Sequence, residues 1–326
     1  MIKIALLHFF LLASTVISAQ AHKPVPVIFD TDMGPDYDDA GAITLLHAFA
    51  DEGKANILAT VASTKFEGVA AVLNVFNTYF KQPGLPIGVP KGEALTKRDF
   101  QHWTDTLIKN YPHAIKNNSE VPDAVEIYRK VLAKQPDKSV TIITVGFLTN
   151  LANLLKSKPD KYSPLTGVQL VNRKVKSLVS MAGRFPSGSE FNIDQDAASG
   201  KYVFENWSTP IIFSGWEIGQ KIKTGLPLIN NNTIKNSPVK DVFRISIPLD
   251  PQDKAGRMSW DETAVLVAIA GYKPYYKLVS GTIEVTEKGA NTWNNKGGSH
   301  FYLVEDRPPL EVQDLINKMM MHQPKK

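Results

Sequence analysis

Short apolar runs alternate with segments of helical period over most of the chain. Val25–Phe29, Ile57–Val61, Leu85–Val89, Val140–Val145, Val175–Met181 and Ile211–Phe213 are apolar runs of strand length and read as buried strands. Between them, Asp39–Ala50, Gly68–Phe80, Asp123–Ala133, Leu148–Leu155 and Asp196–Asn206 carry apolar residues at helical spacing. This alternation predicts an α/β fold, an open and mostly parallel sheet with helices on both faces. Thr282–Val285 and Phe301–Val304 add strands near the end, and Pro308-Pro309 opens a last helix over Leu310–Met320. No repeat, low-complexity tract or linker interrupts the pattern, so residues 22–326 are expected to form one domain. In such sheets ligands sit beyond the carboxyl ends of the strands, which gives any acidic cluster there a functional location.

The first residues follow a different pattern. Lys3 precedes an apolar run, Ile4–Ala13, broken only by His8, and Ala19-Gln20-Ala21 supplies small residues where a signal peptidase reads. Residues 1–21 are therefore expected to be an export signal, cut after Ala19 or Ala21, with the mature protein periplasmic or secreted. A buried N-terminal helix is the alternative. The run is too short to cross a bilayer and is followed by polar sequence, so no stable membrane anchor is expected.

Without residues 1–21, which hold one lysine and no acid, the net charge falls from +5 to +4. That is too slight to imply a nucleic-acid partner, and no dense Lys/Arg block is present. The chain has no cysteine, which excludes disulfides, thiolate catalysis and thiolate metal sites. One polar stretch, Gly92–Glu120, holds Phe100, Trp103, Tyr111, His102 and His113. It reads either as an active-site wall or lid, or as a surface excursion packed by its own aromatics.

The most informative passage begins in the first strand. Val27-Ile28-Phe29 leads into Asp30-Thr31-Asp32-Met33-Gly34-Pro35-Asp36-Tyr37-Asp38-Asp39-Ala40, with five carboxylates in ten residues. Two such charges about 4 Å apart repel by roughly 4 kcal/mol at an effective dielectric near 20. Either some point away or a cation gathers them, and crowded all-oxygen ligands suit calcium better than magnesium. Helix and turn capping would account for two acids, but not for five.

This passage resembles the aspartate motif of the inosine-uridine-preferring nucleoside hydrolase family, in the variant with two more residues before the final Asp-Asp-Ala. Three later segments match in the family's order, so the resemblance spans nearly the whole mature chain. Thr144-Val145-Gly146-Phe147-Leu148-Thr149-Asn150-Leu151 resembles a strand-to-helix turn whose backbone carbonyl completes a metal shell. Ser189-Glu190-Phe191-Asn192-Ile193-Asp194 resembles the family's ribose-binding segment. Ser259-Trp260-Asp261-Glu262-Thr263-Ala264 resembles the late aspartate at a helix start.

The resemblance implies calcium-dependent hydrolysis of the N-glycosidic bond of ribonucleosides, giving free base and ribose. It implies a metal set of Asp32, Asp39, Asp261 and the Val145 carbonyl. A coordinated water would give its proton to Asp32 and attack the anomeric carbon through an oxocarbenium-like transition state. Asp38, Glu190 and Asn192, assisted by Asp261, would hold the sugar and favour its developing charge, with Asp32, Asp38 and Asn192 as the catalytic set. Asp30 would order the turn. Asp36 competes with Asp38 for the ribose role because of the two-residue length difference.

Two positions depart from the family. A histidine often precedes the late aspartate and serves as leaving-group acid, but here the residue is Trp260, which instead offers a ring for stacking on the base. His102, His113 and His300 are the substitutes to consider. Thr64 stands where the family often has a ribose-binding asparagine. The expected partner is a small nucleoside, and family members are commonly dimers or tetramers, which makes a homo-oligomer an option by analogy. Phe29-Asp30-Thr31-Asp32 also resembles the nucleophile motif of haloacid-dehalogenase-type phosphatases, and loss of the histidine allows a non-catalytic nucleoside- or sugar-binding protein.

Overall fold

The computed structural model describes residues 23–325, and the expected signal segment lies outside the described residues. Its strands are β1 (Val25–Thr31), β2 (Ala55–Ala62), β3 (Ile87–Gly88), β4 (Val140–Thr144), β5 (Val175–Met181), β6 (Ser187–Ser189), β7 (Ile211–Ser214), β8 (Lys223–Thr224), β9 (Arg257–Met258), β10 (Tyr276–Val285), β11 (Ala290–Asn294) and β12 (His300–Glu305). Ten of them form one open sheet in the order β3-β2-β1-β4-β5-β7-β12-β10-β11-β6. From β3 to β12 every neighbour is parallel, and β10, β11 and β6 add an antiparallel margin. The mostly parallel α/β sheet expected from the sequence is the sheet observed.

Alternation along β1 explains why helices cover both faces. Val27 and Phe29 enter one apolar layer and Ile28 enters the other, because successive side chains of a strand point to opposite faces. Helices Asp38–Asp51, Val69–Tyr79 and Trp260–Ala270 contribute to the first layer, and Ala124–Ala133, Thr149–Lys156 and Ala197–Asn206 to the second. Each fully buried side chain of the size of Phe29 or Leu151 adds roughly 1.5–3 kcal/mol of transfer free energy.

Differences from the expected elements have local causes. Leu85–Val89 shrinks to the two residues of β3, since Pro86 has no amide to donate and Val89 makes only an isolated bridge to Asp123. The stretch Gly92–Glu120 contains a helix, Trp103–Asn110, whose Trp103 is sunk in the first apolar layer. Phe100 is 61% exposed, so the aromatics of this stretch do not pack on one another as a group.

Candidate active site

The acidic passage is built at the carboxyl end of β1. Asp30 shares a face with Ile28 and is buried beneath the helices of the second layer. Tyr128 Oη donates to it at 2.7 Å, and Asn150 Nδ2 lies 3.2 Å from each of its oxygens. The same Asn150 amide donates to the Ala62 carbonyl at 2.8 Å, tying the ends of β1 and β2 to the turn after β4. Burial pushes the Asp30 carboxyl up to about 7, against the pull of these donors. These donors tie it to two helices of the second layer.

The chain then turns through Met33, at φ 29°, into the helix Asp38–Asp51. Asp39 accepts from the Thr31 hydroxyl and, through the same oxygen, from the Met33 amide at 3.2 Å. Its other oxygen, Oδ2, is buried with no protein partner. Burial, then the neighbouring Asp38 charge, raises Asp39 to about 6. Asp32 is also buried, and its carboxyl is held well above the ordinary range by burial and then by the charges of Asp39, Asp36 and Asp38. Asp261, second residue of the helix Trp260–Ala270, is raised by burial and by the same four aspartates. Carboxylates from distant stretches therefore share one electrostatic neighbourhood.

Asp32 and Asp261 open into a cavity of about 380 Å³, within the ~300–1,000 Å³ range of small-molecule sites, and Asp39 lies behind its lining. Asp32, Asp36, Asp38 and Asp261 line one part of it. Val145, Met181, Glu190 and Asn192 line another, and Phe191, Trp216 and Trp260 provide aromatic surface. Asn192 Nδ2 donates to the carbonyls of Met181 and Val145 at 3.1 and 3.3 Å, joining the turns after β5 and β4. Glu190 caps the helix Phe191–Gln195. Its oxygens accept from the amides of Asn192 at 2.7 Å, Gly183 at 3.0 Å and Ile193 at 3.3 Å. Burial nevertheless pushes Glu190 up to about 7.

The donor set fits a hard divalent cation. It is all oxygen, and it includes a buried carboxylate oxygen that no protein group satisfies. One oxygen each from Asp36, Asp38 and Asp261 lie within 4.8 Å of one another. That trio differs from the set implied by the family resemblance, in which Asp32 and Asp39 accompany Asp261. Its first two members are already bonded to Arg257, a residue that the sequence reading did not single out.

Several expected residues lie elsewhere. Thr64 does not line the cavity, because its hydroxyl donates to the Leu95 and Lys97 carbonyls at 2.9 and 3.2 Å. The polar stretch Gly92–Glu120 contributes no lining residue, so among the described residues it is neither wall nor lid of this cavity. His102 is exposed beside Asp105 at 3.0 Å, His113 contacts the Tyr111 carbonyl at 2.8 Å, and His300 is buried at the start of β12. None of the three lines the cavity. Trp260 does, but its indole N–H is committed to the Trp216 carbonyl at 2.7 Å. Trp216 is a lining aromatic that sequence reasoning missed.

A carboxylate-lined, aromatic-walled cavity at the carboxyl edge of a parallel sheet belongs to the class of α/β proteins that act on small molecules. Within that class the chain belongs to the inosine-uridine preferring nucleoside hydrolase family, whose model matches residues 27–312. It is 28% identical over 205 residues to the pyrimidine-specific ribonucleoside hydrolase RihA of Salmonella enteritidis, covering 60% of this chain and 62% of that relative. The chain thus spans less than two thirds of the length of the curated relatives it matches. Among solved structures it is similar to a purine-preferring ribonucleoside hydrolase from Gardnerella vaginalis, with a TM-score of 0.69 and 17% identity over 91% of this chain and 99% of that one. It is also similar to the inosine-uridine preferring nucleoside hydrolase of Bacillus anthracis, with a TM-score of 0.68 and 13% identity over 91% and 99% of the two chains. At these identities the structures speak for the fold.

Proposed function

We propose that the chain hydrolyses the N-glycosidic bond of ribonucleosides with the help of a bound calcium ion. The observation that carries this reading is the cavity itself, which unites Asp32, Asp261 and the Glu190–Asn192 segment from three distant stretches of chain with an aromatic surface.

Asp32, Asp39, Asp261 and the Val145 carbonyl would hold the ion, with the unpartnered Asp39 oxygen as the strongest argument for it. A divalent ion held there would polarise water and the sugar hydroxyls. Asp32 accepts the proton that the attacking water loses. As the new C–O bond forms at the anomeric carbon, the bond to the base breaks and its electron pair leaves with the base nitrogen. Asp36 and Asp38 place negative charge beside the sugar as it becomes oxocarbenium-like. Asn192 is locked by its two carbonyl acceptors, and Glu190 by three amide donors, so both present fixed groups to the sugar.

Phe191, Trp216 and Trp260 offer faces against which a base can stack. Among the described residues no histidine lines the cavity. Export to the periplasm or outside is part of the same proposal and rests on residues 1–21 of the sequence.

Release of base and reducing sugar from a panel of purine and pyrimidine ribonucleosides, with calcium and with chelator, tests the reading. Activity on at least one nucleoside is expected, abolished by chelator and by Asp39→Ala. The absent histidine favours a second reading, a nucleoside-binding protein without turnover. Nucleoside affinity with no base release at high protein concentration would decide for it.

A further inference from the structure

The acidic cavity brings a cation of its own. Arg257 starts β9, where Gly256, at φ 109°, lets the chain pass Thr224 of β8 so closely that a Cβ would lie 2.8 Å from the Thr224 carbonyl oxygen. The arginine is 6% exposed. Its Nη2 lies 2.7 Å from Asp36 Oδ2 and 2.9 Å from Asp38 Oδ1, and its Nε lies 3.0 Å from the same Asp38 oxygen. Its Nη1 faces Asp253 at 3.6 Å, and Asp253 in turn bonds the Tyr37 hydroxyl. The rings of Tyr37 and Trp260 flank the guanidinium at 4.9 and 5.1 Å. A planar fork held this way keeps its charge and its geometry.

The consequence is an uneven acidic cluster. Asp38 has one oxygen on Arg257 and the other on the backbone amides of Trp260 and Asp261, at 3.0 and 3.2 Å. Asp36 is anchored on Arg257 at the cavity edge. Asp39, by contrast, ends in a buried oxygen with no N–H or O–H partner, beside the Asp36 carboxyl. The trio Asp36, Asp38 and Asp261 has the spacing of a divalent site, yet two of its three members already have a monovalent cation within hydrogen-bond reach. A second, doubly charged cation among the same oxygens would meet strong repulsion from the arginine.

We propose that Arg257 is a positioning residue that divides the cluster, filling the Asp36–Asp38 half as a built-in cation and confining a single divalent ion to the half formed by Asp32, Asp39 and Asp261. This rests on the ion-assisted reading above. It also fixes the orientation of Asp36 and Asp38 in the cavity beside the ion.

Calorimetric titration of the whole protein with calcium alone, without nucleoside, tests the division. Wild type should take up a single ion. Arg257→Gln should take up a second, because Asp36 and Asp38 are then released from the guanidinium, and Arg257→Lys should return to a single ion. Should Arg257→Gln fail to fold, the partly exposed Asp36 gives the deciding variant: Asp36→Asn keeps the single ion while Asp39→Asn loses it. An Arg257→Gln protein that still binds only one ion overturns the division and leaves the hydrolase reading standing. So does an Asp36→Asn protein that loses the ion as completely as Asp39→Asn. A wild type that binds no ion overturns both.

Discussion

Gly146 lies against Asp32 with no room for a side chain. A Cβ at Gly146 would stand 2.8 Å from the Asp32 Cβ and 2.6 Å from Ser63 Oγ, with the Asp32 amide nitrogen closer still. The residue that follows Val145 is thus kept small by the residue proposed to take the water's proton. Gly146→Ala should push Asp32 and the Val145 carbonyl apart, costing about 1–3 kcal/mol of stability by overpacking and most of the calcium-dependent activity. Denaturant unfolding and base release on the same preparation check both parts. Unchanged activity would show that the spacing of these two residues is unimportant.

Tyr128 and Asn150 should matter although neither lines the cavity. Both donate to Asp30, which has no access to water. Tyr128→Phe removes one donor and should destabilise the protein by about 1–3 kcal/mol, the cost of depriving a buried acceptor of its partner. Asn150→Ala should cost more, since the Ala62 carbonyl also loses its donor. Urea unfolding midpoints, with the slope unchanged, measure the difference.

Stability should depend on pH with a definite sign. Glu190 is raised from 4.5 to about 7, and Asp30 from 3.8 to about 7, in both cases first by burial. A carboxyl raised in this way binds its proton more tightly when folded. The stability it contributes is complete below its ordinary value and is lost as pH rises through the folded value. These two carboxyls should therefore draw stability from the chelated protein between roughly pH 4 and 7, against the smaller opposite effect of buried His47, which is lowered to about 4. Glu190→Gln should flatten part of that fall, while starting from lower stability, because an amide nitrogen would then face a backbone donor. Thermal unfolding at a series of pH values reads both effects. A chelated wild type that gains stability across the window contradicts them.

Trp216 should contribute binding more than chemistry. Its ring lines the cavity, and Arg184 stacks on it at 4.1 Å. Trp216→Ala should raise KM for the preferred nucleoside by roughly tenfold, in line with the ~1–3 kcal/mol of a base–aromatic stack, with a smaller change in kcat. The carbonyl that accepts the Trp260 indole N–H belongs to the backbone and survives the substitution. Steady-state kinetics on a purine and a pyrimidine nucleoside would show which base uses the ring.

The fold was legible because its signals are local. Apolar runs such as Val175–Met181 became strands at their expected bounds, and the helices beginning near Asp39 and Leu148 shifted by one residue at each end. The antiparallel margin was harder to read. β6 is Ser-Gly-Ser and β11 is Ala-Asn-Thr-Trp-Asn, neither with a strand-like apolar run, and they are strands because β10 pairs with β11 and β11 with β6. Likewise, the clustering of acids after β1 was plain, but their partners were not. Arg257 meets Asp36 and Asp38 across more than two hundred residues, and nothing in Gly256-Arg257-Met258 marks it as their counterion. Trp216 escaped notice for the same reason: a tryptophan after a strand is usually core. Thr64 was singled out by position alone. Its hydroxyl is spent on the loop at Leu95 and Lys97, a contact with no trace in the sequence around it.

The most direct test is crystallographic: anomalous scattering from crystals soaked with calcium and ribose. A single anomalous peak is expected about 2.3–2.6 Å from oxygens of Asp32, Asp39 and Asp261 and from the Val145 carbonyl, with sugar hydroxyls completing the shell. A peak confined to Asp36 and Asp38, or none at a calcium concentration that supports base release, would contradict this.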